Sequence, residues 1–338
     1  MTRTLVATCA ILATTLAAQA SALADDAIEV TIATVAPAKT PWAELLTKYK
    51  TNVEAKSGGR LKIKVKLNGT LGDENATVRM VARGRIEGVA ASSGAMASLV
   101  PEMEAIELPF LFRNAKEADY VIDNHITKPL EARFRDHDLV LGFWSENGFR
   151  HLASNWGPIE TVDDLKGRKM RSQENAVHLA MWKALKASAQ AIPTTDVVTA
   201  LKTGTVEGYD QALLYAVVAN WYTSVKDLTL SAHIYQPAAI AFNEAWFDKL
   251  PADLQTILVD EGRAITKEGR DAIRAINKDL IDIFKDAGVK IHTLSDANRT
   301  AFETATAVVR SDFRADRNKV AVEILDLIEA GLKEFRKK

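Results

Sequence analysis

The stretch that decides the fold runs from Gly148 to Gln211. It reads Gly148-Phe149-Arg150-His151, then Asp164-Leu165-Lys166-Gly167-Arg168-Lys169-Met170-Arg171. It closes with Leu201-Lys202-Thr203-Gly204-Thr205-Val206-Glu207-Gly208-Tyr209-Asp210-Gln211. Arg150 and Arg171 each fall in or at the end of a short strand-like run. An arginine at a strand end, aimed into a cleft, is a fixed planar fork whose paired N–H donors match a carboxylate. The rest of the chain is expected to be scaffold that closes over such a fork.

On the N-terminal side, Ile28 to Val35 predicts a strand. Thr40-Pro41 supplies an N-cap and first helical residue. Trp42, Leu45, Leu46, Tyr49 and Val53 then recur at helical spacing until Ser57-Gly58-Gly59. Leu61 to Leu67 alternates apolar residues with lysine, the pattern of a strand with one wet face. Glu74 to Arg83 predicts a helix and Gly88 to Ser92 a short buried strand. This β-α-β-α-β order argues for an α/β sheet with helices on both faces.

Glu107-Leu108-Pro109-Phe110-Leu111-Phe112 is expected as a turn and strand, followed by helices over 115–124 and 128–137 and a strand over 139–144. Glu146-Asn147-Gly148 breaks the pattern, and the first domain crossing is placed there. A second α/β set follows: a strand tip at 168–171, a helix over 175–186 and a strand at 190–192. Next come a helix capped by Thr195 and ended by Gly204, a strand over 206–211 and a helix over 214–222. The apolar run His233 to Asn243 is expected to return the chain to the first domain. From Pro251 one helical stripe continues to Ala287-Gly288, long enough at about 1.5 Å per residue to span two domains. A strand at 289–292, a helix capped by Ser295 and an amphipathic segment over 318–337 complete the chain. The expected division is 25–147 plus about 238–275 against 148–237 plus about 276–338.

The first residues carry the pattern of an export signal: Arg3, an apolar run from Leu5 to Ala18, and Ala22-Leu23-Ala24 before Asp25-Asp26. The run is shorter than the ~20 apolar residues that a membrane span needs. The one cysteine, Cys9, lies inside it. A chain cut near Ala24 would hold no cysteine, which excludes disulfides, thiolate nucleophiles and cysteine-ligated zinc, and fits a bacterial periplasm. With 43 basic and 44 acidic residues, nothing argues for nucleic acid or an anionic membrane as partner.

Catalytic signatures are missing. There is no Gly-x-Ser-x-Gly elbow, no phosphate-cradling glycine loop, no His-Glu-x-x-His and no cofactor motif. The six histidines share no metal-ligand spacing, and each is read as structural. Asp163-Asp164 sits in a polar turn, where adjacent carboxylates cap local backbone.

Several segments together resemble one family. They are Gly69-Thr70-Leu71-Gly72-Asp73-Glu74, the Glu107–Phe112 run, Gly148-Phe149-Arg150, the Asp164–Arg171 run, Ala200 to Gly208, and Phe247-Asp248-Lys249-Leu250-Pro251-Ala252-Asp253-Leu254-Gln255. In order and spacing the chain is similar to the DctP-type solute-binding proteins of tripartite ATP-independent periplasmic (TRAP) transporters. The resemblance implies an α/β, two-lobed periplasmic-binding-protein-like fold with hinge strands and a long helix spanning both lobes. It further implies an organic acid held between closing lobes and handed to a membrane permease, with no catalysis.

The family's carboxylate-binding arginine falls on Arg171, a second ligand-facing arginine on Arg150, and a polar amide on Gln211. The residues alone add Glu74, at a helix start, as a partner for a solute hydroxyl or amine. Tyr209 is one of several aromatics, with Trp144, Trp156, Tyr215 and Trp221, placed to stack on a solute or to pack the core. Arg150 could instead turn toward an acid such as Glu146. The chain departs from the family at Ser172-Gln173, where Val-Pro is common, and at Tyr209-Asp210-Gln211-Ala212, where Gln-Glu-Asn-Pro is common. The C-terminal helices are expected either to cross the lobe junction or to support a homodimer. A sensory protein presenting its ligand to a receptor, or an exported α/β enzyme acting on a carboxylate, would share these features.

Overall fold

The computed structural model describes residues 27–316 and 319–337; the expected export signal lies outside the described residues. Strand β1 (Ile28–Ala33) pairs in parallel with β2 (Leu61–Lys66) and with β3 (Gly88–Ser92). Helix α1 (Pro41–Lys56) begins as its sequence dictates. Thr40 Oγ1 accepts the Ala43 N–H at 3.3 Å, and the helix buries Trp42, Ala43, Leu45, Leu46, Tyr49 and Val53. Helix α2 (Glu74–Ala82) is capped by the Asp73 side chain.

The expected strand at 107–112 is absent. Pro101–Glu107 forms a 3-10 helix that buries three glutamates, and Phe110 turns the chain with a φ of 54°. A left-handed phenylalanine is strained. Its N–H donates to the His233 carbonyl at 2.7 Å, and the Arg299 guanidinium lies 5.7 Å over its ring. Helices α3 (Ala115–Val121) and α4 (Thr127–Arg135) follow, joined through Ile122–Ile126.

Strand β4 (Leu139–Ser154) does not end at Glu146-Asn147-Gly148 as its sequence suggested. A register shift between Glu146 and Gly148 absorbs the irregularity, while pairing with β8 (Asp227–Asn243) continues on both sides of it. These two antiparallel strands are the spine of the molecule. At one end β8 pairs with β3, and at the other β4 pairs with β7 (Gly208–Ala212). Beyond β7 lie β5 (Lys169–Ser172) and β6 (Ser188–Ala191), giving the order β2-β1-β3-β8-β4-β7-β5-β6. Helices α5 (Ala176–Ala184), α6 (Val197–Lys202) and α7 (Leu213–Val218) cover this second half. Thr195 does not cap α6; it lies in a 3-10 turn, Thr194–Asp196.

The long C-terminal helical stripe breaks at Ile276 into α8 (Ala252–Ala275) and α9 (Asn277–Asp286). Helix α8 crosses β4 closely: a Cβ on Gly262 would lie 2.0 Å from the Phe143 ring. Its other anchor is the Tyr49 hydroxyl, which donates to the Leu258 carbonyl at 2.7 Å. Helix α9 carries Leu280 and Phe284 into the core around Tyr209, Leu213 and Trp221, so the α8–α9 pair crosses from one half to the other. Strand β9 (Lys290–Thr293) pairs with β8 in the second half. Helices α10 (Asp296–Asp316) and α11 (Lys319–Phe335) close the fold. α10 packs on α5, and α11 on Pro101–Glu107 and α3.

Candidate functional site

Between the halves lies a cavity with about 620 Å³ of atom-free space, part of it open to solvent. The first half contributes Thr34 to Ala36 at the end of β1, Trp42 and Leu45 of α1, Glu74 of α2, and Ser92. The spine contributes Ser145, Asn147 and Gln236, and the second half contributes Gln173, Thr194, Gln211 and Tyr215. Trp42 and Tyr215 face one another from opposite halves, with ring centroids 6.2 Å apart. Trp42 is fixed in turn by its Nε1–H, which donates to the Glu146 carbonyl at 2.7 Å.

The halves touch over this cavity. Asn75 Nδ2 donates to Glu174 Oε2 at 2.8 Å, Gln173 Nε2 to Ser92 Oγ at 2.9 Å, and Asn175 Nδ2 to the Gly94 carbonyl at 3.3 Å. Gly94 permits the approach, since a Cβ there would stand 2.9 Å from Gln173 Nε2.

Arg171 is buried, 1% exposed, near the end of β5, and like Arg150 and Tyr209 it is not among the residues that line the cavity. Its Nε–H and Nη2–H both donate to the Ile192 carbonyl, at 3.0 and 2.9 Å, and Nη2 lies 3.4 Å from Thr194 Oγ1. The Trp221 ring lies 5.1 Å beneath it. Its Nη1 is buried with no hydrogen-bond partner among the described residues. Burial first, then the nearby Arg150 charge, lowers its pKa to about 10. The side chain therefore stays charged at neutral pH and keeps a buried N–H group that no acceptor among the described residues answers, which is costly. Tyr209 is the register partner of Arg171. It packs edge-on against Trp221 at 5.2 Å and does not line the cavity; its hydroxyl is buried with no hydrogen-bond partner among the described residues.

Arg150 lies diagonally across the β4–β7 pair from Asp210, because Arg150 stands opposite Ala212. It is fully buried and does not line the cavity. Its Nε–H donates to Asp210 Oδ2 at 2.5 Å and its Nη2–H to the Asp210 carbonyl at 2.7 Å. Burial alone would raise the Asp210 pKa, but the Arg150 charge and hydrogen bonds hold it well below the usual carboxylate range. The acid partner of Arg150 is thus Asp210. Glu146 instead accepts from the Tyr235 hydroxyl at 3.1 Å and from Arg274 of α8.

Glu74 and Gln211 both line the cavity. The Glu74 carboxylate accepts the Ser92 N–H at 2.7 Å and the Ser92 hydroxyl at 2.9 Å, yet burial raises its pKa despite these donors. Gln211 Oε1 accepts from Arg150 Nη1 at 3.1 Å and from the Ala212 N–H at 2.8 Å.

Sequence reasoning missed Gln173 and Gln236, which stand between the cavity and Arg150. Gln236 Oε1 accepts from Arg150 Nη1 at 2.9 Å, and its Nε2–H donates to Glu107 Oε2 at 2.8 Å. Glu107 also pairs with His178 Nε2 at 2.5 Å. Only the Ser172-Gln173 departure pointed in this direction. Of the other aromatics named from the sequence, Tyr215 reaches the cavity. Trp156 stacks under Arg168 at 4.7 Å, and Trp144 donates to Thr127 Oγ1 at 2.8 Å.

Two α/β halves threaded by a pair of long strands, with a cavity of mixed polar and apolar lining between them, define the periplasmic-binding-protein class of fold. The chain belongs to the DctP family, bacterial extracellular solute-binding protein family 7, whose pattern matches residues 32–316. It is 34% identical over 271 residues to a solute-binding protein of Verminephrobacter eiseniae, 80% of either chain. It is 30% identical over 259 residues to the 2,3-diketo-L-gulonate-binding periplasmic protein YiaO of Escherichia coli K12, 76% of this chain and 78% of that one. Among solved structures it is similar to the sugar acid binding protein DctPAm of Advenella mimigardefordensis in complex with galactonate. That match has a TM-score of 0.85 and 29% identity, over 90% of this chain and 99% of the other. The family is one of periplasmic transport binding proteins of the TRAP type and not of enzymes.

Proposed function

We propose that this protein captures a small hydroxylated carboxylic acid, a sugar acid or a close analogue, and delivers it to a TRAP permease. One observation carries the reading: the buried, charged Arg171 with an unpartnered Nη1 beside the cavity wall at Thr194. Enclosing an anion strips its water, at several kcal/mol, and a fixed guanidinium replaces that loss. Gln211 and Asn147 suit the oxygens of the solute and Glu74 its hydroxyls, while Trp42 and Tyr215 bracket its carbon face. Tyr209 serves as backing for Trp221 and Arg171. A second carboxylate beside Glu74 would meet like charge, which favours hydroxyl-rich monoacids over dicarboxylates. The sugar-acid ligands of YiaO and DctPAm agree with this chemistry.

On this reading the lobes divide at the Glu146–Gly148 irregularity opposite Gln236 and Pro237, and closing about that hinge buries the solute. The working form is a monomer, since α10 and α11 bury Phe302, Val309, Phe313, Ile324, Leu325 and Ile328 within the chain. The leader is cut near Ala24, and terminal sequencing of the exported protein would read that end.

The test of the function is a thermal-shift and calorimetric panel of D-galactonate, D-glucuronate, 2,3-diketo-L-gulonate, succinate and galactitol. At 100 times Kd a ligand adds about 2.7 kcal/mol of stability. Sugar acids should raise the melting temperature most. Stabilisation by galactitol and by none of the acids would overturn the reading.

A further inference from the structure

We infer that the solute is apolar at the end remote from its carboxylate, and that Leu46, Ala90 and Ile240 select for that end. The chemical class is a deoxy sugar acid, or another hydroxylated acid whose last carbon bears no hydroxyl. This rests on the carboxylic-acid reading above and adds to it the group at the far end of the solute chain.

The distribution of side chains around the cavity carries the inference. The second half lines it with Gln173, Thr194, Gln211 and Tyr215, each with a polar group. On the opposite side the lining includes Val35, Leu45, Leu46, Ala90, Ala238 and Ile240. Two strands build this apolar floor. Ala90 of β3 stands opposite Ile240 of β8, and Ser92 stands opposite Ala238, two positions on. Residues two apart share a sheet face, so these four form one patch. Leu45 and Leu46 of α1 pack in the same buried cluster as Ile240, with Ala90 against it. Leu46 is 3% exposed and Ile240 1%. In the sheet, β8, β4 and β7 lie between β3 and the β5 strand that carries Arg171. The apolar patch is thus on the far side of the cavity from the guanidinium.

Polar groups that border the patch are already engaged. Ser92 Oγ donates to Glu74 at 2.9 Å and accepts from Gln173 Nε2 at 2.9 Å, and Thr34 Oγ1 accepts the Ala36 N–H at 3.1 Å. Glu74, Asn147 and Ser145, which stands opposite Ala238, suit hydroxyls in the middle of the solute. Against Leu46 and Ile240 a terminal hydroxyl would meet side-chain carbon and lose its water uncompensated. A methyl group in the same place gains from leaving water. The small side chains of Ala90 and Ala238 leave room for it.

Matched pairs of acids test this by calorimetry. D-Galactonate and D-fuconate differ only in the hydroxyl on the last carbon, as do L-mannonate and L-rhamnonate, and the pair that binds more strongly is read. The deoxy member should bind about tenfold more tightly. Ile240→Thr puts a hydroxyl on the patch and should narrow that preference to about twofold or less. Ala90→Ser places one beside it and should act in the same direction, so the test survives if one variant fails to fold. Melting temperatures and circular dichroism check the fold. A merely structural role for the patch would weaken both members of a pair equally. Equal or tighter binding of the fully hydroxylated member by the wild-type chain would overturn the inference and leave the carboxylic-acid reading intact. So would a deoxy preference that every folded variant retains in full. Failure of every acid to bind the wild-type chain would overturn both.

Discussion

Asn75 and Glu174 join the two halves, with Nδ2 of one donating to Oε2 of the other at 2.8 Å. Neither residue lines the cavity, so their bond contributes to the closed state without touching the solute. Glu174→Ala should leave the association rate near that of the wild type and raise the dissociation rate about three- to tenfold, the effect of one hydrogen bond of about 1 kcal/mol. Stopped-flow fluorescence of Trp42, which stands in the cavity wall, reads both rates. An unchanged dissociation rate would mean that the contact has no part in closure.

Glu74 is a buried carboxyl whose pKa burial raises from its ordinary value of 4.5. The sign of the linkage follows: the unfolded chain gives up this proton first, so stability falls as pH rises from about 4.5 through the raised value. Glu74→Gln keeps the shape and removes that dependence. The empty variant should melt higher than the wild type at pH 7 and the two should converge near pH 4. Its affinity for a hydroxylated acid should drop, since an amide accepts at one atom where the carboxylate accepts at two. A variant less stable than the wild type at pH 7 would show that the Ser92 donors outweigh burial.

Arg274 of α8 fastens that helix to α3 and β4. It donates to both Asp119 oxygens, at 2.6 and 2.7 Å, and to the buried Glu146. Arg274→Met leaves Glu146 with only the Tyr235 hydroxyl and should destabilise the fold by about 2–3 kcal/mol in chemical denaturation. Lys267→Ala, which removes an exposed pair with Asp271 one turn earlier, should leave the midpoint unchanged. Equal effects from the two substitutions would refute the role of Arg274 in tying α8 to α3 and β4.

Local chemistry was legible where it is decided locally. Thr40-Pro41 starts α1, the lysine alternation of Leu61–Lys66 marks a strand wet on one face, and the Asp164–Arg171 run ends in a strand whose final arginine is buried. What could not be read depends on partners far along the chain. Glu146-Asn147-Gly148 looks like a terminator, but ladder pairing with Gln236 and Pro237 carries β4 through it. Tyr209 and Gln211 share a strand face. Only Gln211, nearer the strand end, reaches the cavity, and all five residues of β7 are buried, so burial pattern could not separate them. Gln211 meets Arg150 across sixty-one residues, and Gln173 meets Gln236 across sixty-three. No periodicity encodes such meetings. The helical stripe from Leu254 to Phe284 likewise continues through Ile276, where the backbone breaks with φ −92° and ψ −1°.

The central claim is that the guanidinium of Arg171 holds the acid group of the solute, and calorimetry on Arg171→Lys tests it most directly. Arg171 spends two donors on the Ile192 carbonyl and keeps Nη1 free. A lysine ammonium cannot hold that carbonyl and present a matched pair to a carboxylate as well. Arg171→Lys is expected to fold with a melting temperature near that of the wild type and to bind the best acid at least about 100-fold more weakly, close to 2.7 kcal/mol. A folded variant that binds the acid as tightly as the wild type would contradict it.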